Sequence, residues 1–341
     1  MLIDLKEHRE FVYGAAQILK DEADGSIRFQ RQTDAMHKVF QYDGGALWDY
    51  MADCPAGVRI AFQTDALKFR LKLQYGKPWG TPLYTGDTDV VIDHNYSAFR
   101  TFRAEPLSME EPEKNLHEFT CELEENESGT HQVEIFLCNQ VPLKILEFEV
   151  ESENMPEPLT YNPTKNILFI GDSITQGYFS TPAGCYAARY ANHYKADFHN
   201  VAIGGAVFRE YGDAAMAYPW NDLIICFGTN DCGWRSLEEY RAAATATLDA
   251  VTKREHAHIT LLSSVPFPAT KYDGDNIRTE RLQQMRDCLK DLAALYKIRY
   301  IDGTTLVPDD EKYFVDNCHP NDEGMALYGK NFIEAMESWH A

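Results

Sequence analysis

Ile167-Leu168-Phe169-Ile170-Gly171-Asp172-Ser173-Ile174-Thr175 is the stretch that decides the fold. Four apolar residues run without a break into a glycine, a carboxylate and a hydroxyl. An unbroken apolar run of this length reads as a strand covered on both faces. The polar residues that close it read as a strand-to-helix turn.

The same signature recurs downstream. Leu223-Ile224-Ile225-Cys226-Phe227 and Ile259-Thr260-Leu261-Leu262 are two further buried runs. Helical patterns separate them. Ser236 with Glu239 three residues on forms a capping box before Leu237 to Arg254. Leu282, Met285, Leu289, Leu292 and Leu295 recur at 3–4 spacing within Arg278 to Tyr296, and Asn321 to His340 reads as a last helix. Strands alternating with helices predict right-handed crossovers and a parallel sheet with helices on both faces. Chemistry in such sheets gathers at the carboxyl ends of the strands.

Upstream, the period changes to two. Leu67-Lys68-Phe69-Arg70-Leu71-Lys72-Leu73 alternates cleanly, and Val58-Arg59-Ile60-Ala61-Phe62 follows the same pattern. Asp89–Ile92, Phe99–Phe102, Glu118–Cys121, Val133–Ile135 and the Ile145, Phe148, Val150 set continue it, with turn clusters such as Asn126-Glu127-Ser128-Gly129 between them. Many short strands predict an all-β, jelly-roll-like sandwich. Pro156, Pro158 and Pro163 can continue neither a ladder nor a helix. The expected domains are therefore residues 1–155, a β-sandwich, and 165–341, an α/β/α domain.

Composition narrows the function. The chain has 341 residues, room for two domains, and its 32 basic against 53 acidic residues give a net charge of −21. That charge repels phosphate backbones and anionic lipid, so neither nucleic acid nor a membrane is expected as a partner. No apolar stretch reaches the length of a membrane helix. Met1 to Glu10 is charged throughout and does not read as a signal peptide, which predicts a cytoplasmic protein. The eight cysteines form no C-x-x-C pair, so reduced, buried thiols are expected and a structural zinc site is not.

Four short segments in the second half can carry chemistry. In Gly171-Asp172-Ser173-Ile174-Thr175, Ser173 sits where the turn would expose it at the sheet edge; its bland alternative, shared with Asp172, is a helix cap. Asn200-Val201-Ala202-Ile203-Gly204-Gly205 ends in a glycine pair that can turn the backbone and aim an N–H at a ligand, or can be a plain tight turn. Gly228-Thr229-Asn230-Asp231 offers a side-chain amide to a developing oxyanion, or again a turn. In Asp316-Asn317-Cys318-His319-Pro320, a carboxylate three residues before an imidazole can hold one tautomer and stabilise its cation. The same Asp and His could also supply metal ligands.

Taken together and in this order, the four segments resemble the SGNH (GDSL-like) hydrolase family, over roughly residues 165–338. The resemblance implies a flavodoxin-like α/β/α fold and a serine esterase that needs no cofactor and no metal. It matches Ser173 to the nucleophile, His319 and Asp316 to the base and its acid, and Gly205 and Asn230, with the Ser173 N–H, to the oxyanion hole. With a sandwich in front, the chain is similar to two-domain carbohydrate esterases and to some acyltransferases. An O-acetylated saccharide or other small ester is the expected substrate. Trp79 and Tyr84, on the loop Gly76–Tyr84, and Trp234 are candidate substrate contacts, with core packing as the alternative for both tryptophans. Ala206, Val207 and Phe208 are expected to wall a small acyl pocket. An acyltransferase, a broad lipase or thioesterase, and a non-catalytic sugar-binding protein remain as other readings.

Overall fold

The computed structural model describes residues 1–42, 44–80, 85–104, 106–268 and 276–339. They divide into two compact units. The first comprises Met1–Gln32, Ala46–Tyr161 and Thr181–Ala183; the second comprises Thr33–Gly45, Asn162–Ser180 and Gly184–Ala341.

The first unit is built of two antiparallel sheets. One runs Val12–Tyr13, Arg59–Thr64, His131–Phe136, Asp87–Ile92, Arg100–Arg103 in spatial order; the other runs Gln17–Lys20, Ile27–Gln30, Leu143–Val150, Lys68–Tyr75, Leu116–Glu122. From Ile27 to Val150 each successive strand changes sheet, save the hairpin of Asp87–Ile92 with Arg100–Arg103, a jelly-roll-like alternation. The period-2 segment behaves as its pattern demands. Phe69, Leu71, Leu73 and Tyr75 are buried in the core with Ile60, Phe62, Val133 and Ile135. Each such side chain contributes roughly 1.5–3 kcal/mol by leaving water. Arg70, on the opposite face, pairs with Glu118, Glu147 and Glu149 on neighbouring strands. The irregular spacing of Ile145, Phe148 and Val150 has a cause: the register shifts between Ile145 and Glu147, so one extra residue lets both Ile145 and Phe148 face inward.

Three features depart from the sequence reading. The first 155 residues also hold two helices, Asp34–Phe40 and Ala46–Asp53. The first of these belongs to the second unit, where Thr33 caps it and Phe40 packs on Tyr211 at 4.7 Å. The proline-rich stretch does enter a ladder: Glu157–Pro158 pairs antiparallel with Phe62 and Gln63. Two residues at a sheet edge need few N–H donors, which is where proline is tolerated. Finally, Thr181–Ala183 joins the first unit, where Asp89 accepts hydrogen bonds from the Ala183 N–H and the Thr101 hydroxyl, each at 2.7 Å.

The second unit is a five-stranded parallel sheet. Its strands are Asn166–Gly171, Asp197–Asn200, Asp222–Phe227, His258–Ser263 and Arg299–Ile301, and their spatial order, numbered along the chain, is 2-1-3-4-5. That is the flavodoxin-like order. Ile167–Ile170 and Leu223–Phe227 are all buried, as unbroken apolar runs require. The helix Leu237–Val251 opens on the Ser236/Glu239 capping box and packs against Asn276–Tyr296, while Asp322–Ser338, capped by Asn321, packs against Tyr186–His193. Among the described residues, no helix is long and apolar enough to cross a membrane.

The order 2-1-3-4-5 makes the first strand a switch point, with the chain leaving toward the second strand on one side and returning to the third on the other. Ligands of open α/β sheets bind outside the carboxyl ends at such a point. Three of the four chemistry-bearing segments follow strands one, two and three there.

Candidate active site

The turn after Asn166–Gly171 divides the labour between neighbours. Asp172 is the N-cap of the short helix Ser173–Gln176, and its Oδ1 accepts the Ile174 N–H at 3.0 Å. Ser173 does no capping. Its hydroxyl lies 2.7 Å from His319 Nε2. The capping alternative therefore holds for Asp172 and not for Ser173.

His319 is held from its other side. Its Nδ1 lies 2.8 Å from Asp316 Oδ2, while Asp316 Oδ1 accepts the N–H of Cys318 at 2.9 Å and of His319 at 2.8 Å. The loop bearing them is closed by a bridge between Phe314 and Pro320 and by the Val315 N–H on the His319 carbonyl. A carboxylate on Nδ1 places the ring proton there, which leaves the Nε2 lone pair to accept from the Ser173 hydroxyl. Burial alone would raise the Asp316 carboxyl. The hydrogen bond and charge of His319, with the two amides, outweigh burial and hold it well below the usual carboxylate range. Asp316 is thus an anion facing the imidazole, in the arrangement that stabilises an imidazolium.

The second and third segments meet. Gly205 adopts φ 81°, a left-handed conformation that favours glycine, and Asn230 Nδ2 donates to the Ala206 carbonyl at 2.9 Å. A carboxamide has two N–H donors, so this bond fixes the Asn230 side chain and still leaves one donor. Gly204 must be small: a Cβ there would sit 2.5 Å from the Tyr178 hydroxyl. Its N–H is anchored on Gln176 Oε1 at 2.8 Å, which ties the glycine pair to the serine's own helix.

Two buried carboxylates stand behind these groups. Burial pushes Asp172 up to about 6, against the pull of the Ile174 N–H and of His319. Burial also pushes Asp231 up to about 7, although the Phe208 N–H on its Oδ1 opposes the shift. Among the described residues, Asp231 Oδ2 has no hydrogen-bond partner.

Some features carry no signal in the sequence. Tyr178 stacks on His319 with ring centroids 5.7 Å apart, and Phe179 meets the same imidazole edge-on at 5.3 Å. Both depend on backbone torsions: Gly177 has φ 96° and Phe179 φ 57°, a left-handed angle uncommon for a bulky residue. Cys318 Sγ lies 3.3 Å from His319 Nδ1. It is the one cysteine of the eight that is not fully buried, and all eight are free thiols.

The candidate substrate contacts fare differently. Trp234 ends the helix Asp231–Trp234, directly after Asn230, and is 62% exposed, so it is not a core residue. Trp79 belongs to the first unit, is 40% exposed, and packs on Tyr50 at 5.3 Å. Tyr84 lies outside the described residues. The expected acyl wall is corrected in part. Ala206, Val207 and Phe208 are all buried, but Phe208 packs into the core, against Phe227 at 4.9 Å and Tyr240 at 5.5 Å.

Residues 169–327 match the model of the GDSL-like Lipase/Acylhydrolase family. No curated protein matches the chain in sequence. Among solved structures, the chain is similar to a salicylyl-acyltransferase from a tetracycline biosynthetic pathway, at 17% identity over 96% of this chain and 94% of that one, with a TM-score of 0.78. It is similar to a protein of Bacteroides ovatus named as a GDSL-like lipase, at 16% identity over 96% and 94%, with a TM-score of 0.74. It is also similar to a family two carbohydrate esterase from Clostridium thermocellum, solved with cellohexaose, at 13% identity over 83% and 92%, with a TM-score of 0.61. At these identities the likeness is one of fold.

Proposed function

We propose that the GDSL-like lipase/acylhydrolase domain carried by this chain is a serine esterase that removes short acyl groups, acetyl above all, from O-acylated saccharides. The observation that carries the reading is the unbroken relay from Ser173 through His319 to Asp316, with heavy-atom distances of 2.7 and 2.8 Å.

The geometry supports the following course. His319 Nε2 takes the Ser173 proton as the oxygen attacks the ester carbonyl. Asp316 stabilises the imidazolium that forms. The oxyanion is met by the N–H groups of Ser173 and Gly205 and by the remaining N–H of Asn230; one such donor is typically worth ~3–4 kcal/mol. His319 protonates the leaving alcohol, and the acyl group stays on Ser173. Water, deprotonated by His319 in turn, then releases the acid. Every proton is carried by His319, so this course requires neither metal nor organic cofactor.

Trp234 is proposed as a platform for the sugar ring, because an exposed indole three positions beyond the Asp231 that follows Asn230 can stack on the leaving group. Trp79 and Tyr84 are also proposed as saccharide contacts. Val207 and Ala206 are proposed to limit the acyl chain.

Acyl transfer is the second reading, favoured by the fold shared with the salicylyl-acyltransferase along nearly the whole chain. It uses the same residues and delivers the acyl group to an alcohol in place of water. One experiment separates the readings: turnover of acetylated saccharides, acetyl and octanoyl p-nitrophenyl esters, with and without an acceptor alcohol. Release of acetate from the saccharide in the absence of acceptor supports the esterase. Turnover that appears only with acceptor supports the transferase, and octanoyl esters cleaved as fast as acetyl esters would overturn the short-chain preference.

A further inference from the structure

Phe179 is held in a backbone conformation that its own side chain disfavours. Gly177 ends the short helix Ser173–Gln176, and its carbonyl accepts from the Ser180 N–H at 3.4 Å and from the Ser180 hydroxyl at 3.1 Å. Phe179 is the third residue of the turn this closes and has φ 57°. Glycine or asparagine fills a left-handed third position as a rule, and a bulky residue there costs stability. Among the described residues, five other non-glycine residues have a left-handed φ. Lys195 and Lys297 lie just past the helices Tyr186–His193 and Asn276–Tyr296, where such a residue commonly ends a helix. Asp93, His94 and His256 are of types enriched in that region. Phe179 has neither reason. We propose that it is a specificity-determining contact, whose ring walls the subsite of the leaving alcohol and packs on the apolar face of a sugar ring there. The inference rests on the reading of His319 as the group that protonates that alcohol.

The surroundings of His319 give the ring its use. An alcohol that His319 protonates must bring its oxygen within ~2.6–3.2 Å of Nε2. Asp316 occupies the Nδ1 side, Tyr178 lies along a face of the imidazole, and Cys318 Sγ is 3.3 Å from Nδ1 and 3.9 Å from Nε2. Tyr178 is buried, whereas Phe179 is only half-buried. The Phe179 ring meets the imidazole edge-on, with centroids 5.3 Å apart and planes 71° from parallel. It stands beside the base without covering it.

The contact discriminates by size and by surface. The Phe179 side chain carries no polar atom, so it offers a partner only a π-face and an apolar edge, which suit the C–H face of a sugar ring. A ring carried on the leaving oxygen reaches it; the methyl group of a leaving methanol does not. Glycine at this position would relax the turn and give up that surface. Strain kept in place of relaxation is the mark of a residue retained for what its side chain touches.

The test uses the full chain, with a mono-O-acetylated methyl glucoside and methyl acetate as substrates. Phe179→Gly and Phe179→Ala should each lower kcat/KM for the glucoside about five- to tenfold more than for methyl acetate, chiefly through KM, as the loss of one aromatic contact does. Phe179→Tyr keeps an aromatic face and should keep the ratio of the two esters. Thermal midpoints read the strain: at a left-handed position Phe179→Gly should melt above Phe179→Ala, the reverse of their usual order. Phe179→Leu, which keeps the bulk, serves for the kinetic comparison where the smaller variants fold poorly. Equal losses on both esters overturn the contact, because the ring then merely props His319. A glycine variant that melts below the alanine variant overturns the strain argument and with it the reason to assign the ring a role. Calorimetric binding of the glucoside to Ser173→Ala, with and without Phe179→Gly, reads the contact without turnover. A chain that hydrolyses neither ester yet binds the glucoside more weakly once Phe179 is gone upholds the contact and overturns the proposed function instead.

Discussion

The Tyr178 ring lies along the face of the His319 imidazole, its plane 27° from parallel. A π-face there stabilises the imidazolium that forms as the serine proton is taken. Tyr178→Leu should therefore lower kcat about fivefold, the equivalent of ~1 kcal/mol of cation–π contact. Tyr178→Phe keeps the ring and should keep kcat. A leucine variant with wild-type kcat would show that Tyr178 merely fills space.

Ser173→Ala and His319→Ala should each remove ester hydrolysis by several orders of magnitude, and the double variant should lose no more than either alone, because the two act as a unit. The thermal midpoint should barely move for Ser173→Ala, whose hydroxyl bonds only His319 among the described residues. Hydrolysis of p-nitrophenyl acetate checks the first claim and calorimetry the second. Retention of more than about a tenth of kcat by either variant would disprove its assignment.

Asn230→Ala should lower kcat by about 10²–10³ with little change in KM, as the loss of one oxyanion donor does. Asn230→Asp is the sharper variant. It keeps the size of the side chain but cannot donate, and its charge opposes the oxyanion, so it should be at least as poor as alanine. Steady-state kinetics on one acetyl ester decides this.

Asp231 predicts how stability depends on pH. Its carboxyl titrates at about 7 in the folded protein and near ~3.9 when unfolded. Between those values the folded state holds a proton that the unfolded state has lost. The stability this contributes is complete below about pH 4 and is lost as pH rises toward 7. Asp231→Asn stays neutral, keeps an acceptor for the Phe208 N–H, and removes the titration. Its thermal midpoint should thus gain on that of wild type by several degrees between pH 5 and pH 8. Scanning calorimetry at both pH values reads the difference; parallel lines for the two proteins would refute it.

Much of the second unit was legible because buried parallel strands and amphipathic helices leave strong periodic marks. Ile167–Ile170 and Leu223–Phe227 are buried throughout, and the Ser236/Glu239 box forms where it was read. The relay was legible because Asp316 and His319 are three residues apart and Ser173 ends a strand. Tyr178 and Phe179 were not, since their place on His319 depends on the torsions of Gly177 and Phe179, which no spacing announces. Asp34–Phe40 escaped for another reason. At seven residues it is too short for a helical period to stand out, and Phe40 is buried on Tyr211, far along the chain. The Glu157–Pro158 ladder escaped because proline was read only as a breaker, whereas a pair of residues at an edge asks little of its N–H groups.

The chain passes between its two units five times, at residues 32–33, 45–46, 161–162, 180–181 and 183–184. No single cut can then yield either unit whole. A fragment starting at Asn162 would hold Ser173, Asn230, Asp316 and His319, yet lack the helix Asp34–Phe40 that its own fold buries. Tyr211 would lose the ring of Phe40 and Tyr218 would lose the Thr33 N–H that its hydroxyl accepts at 2.7 Å. The complementary fragment would leave Asp89 without the amide of Ala183. The boundary written in the sequence by its prolines is therefore a change of architecture, and a poor place for scissors.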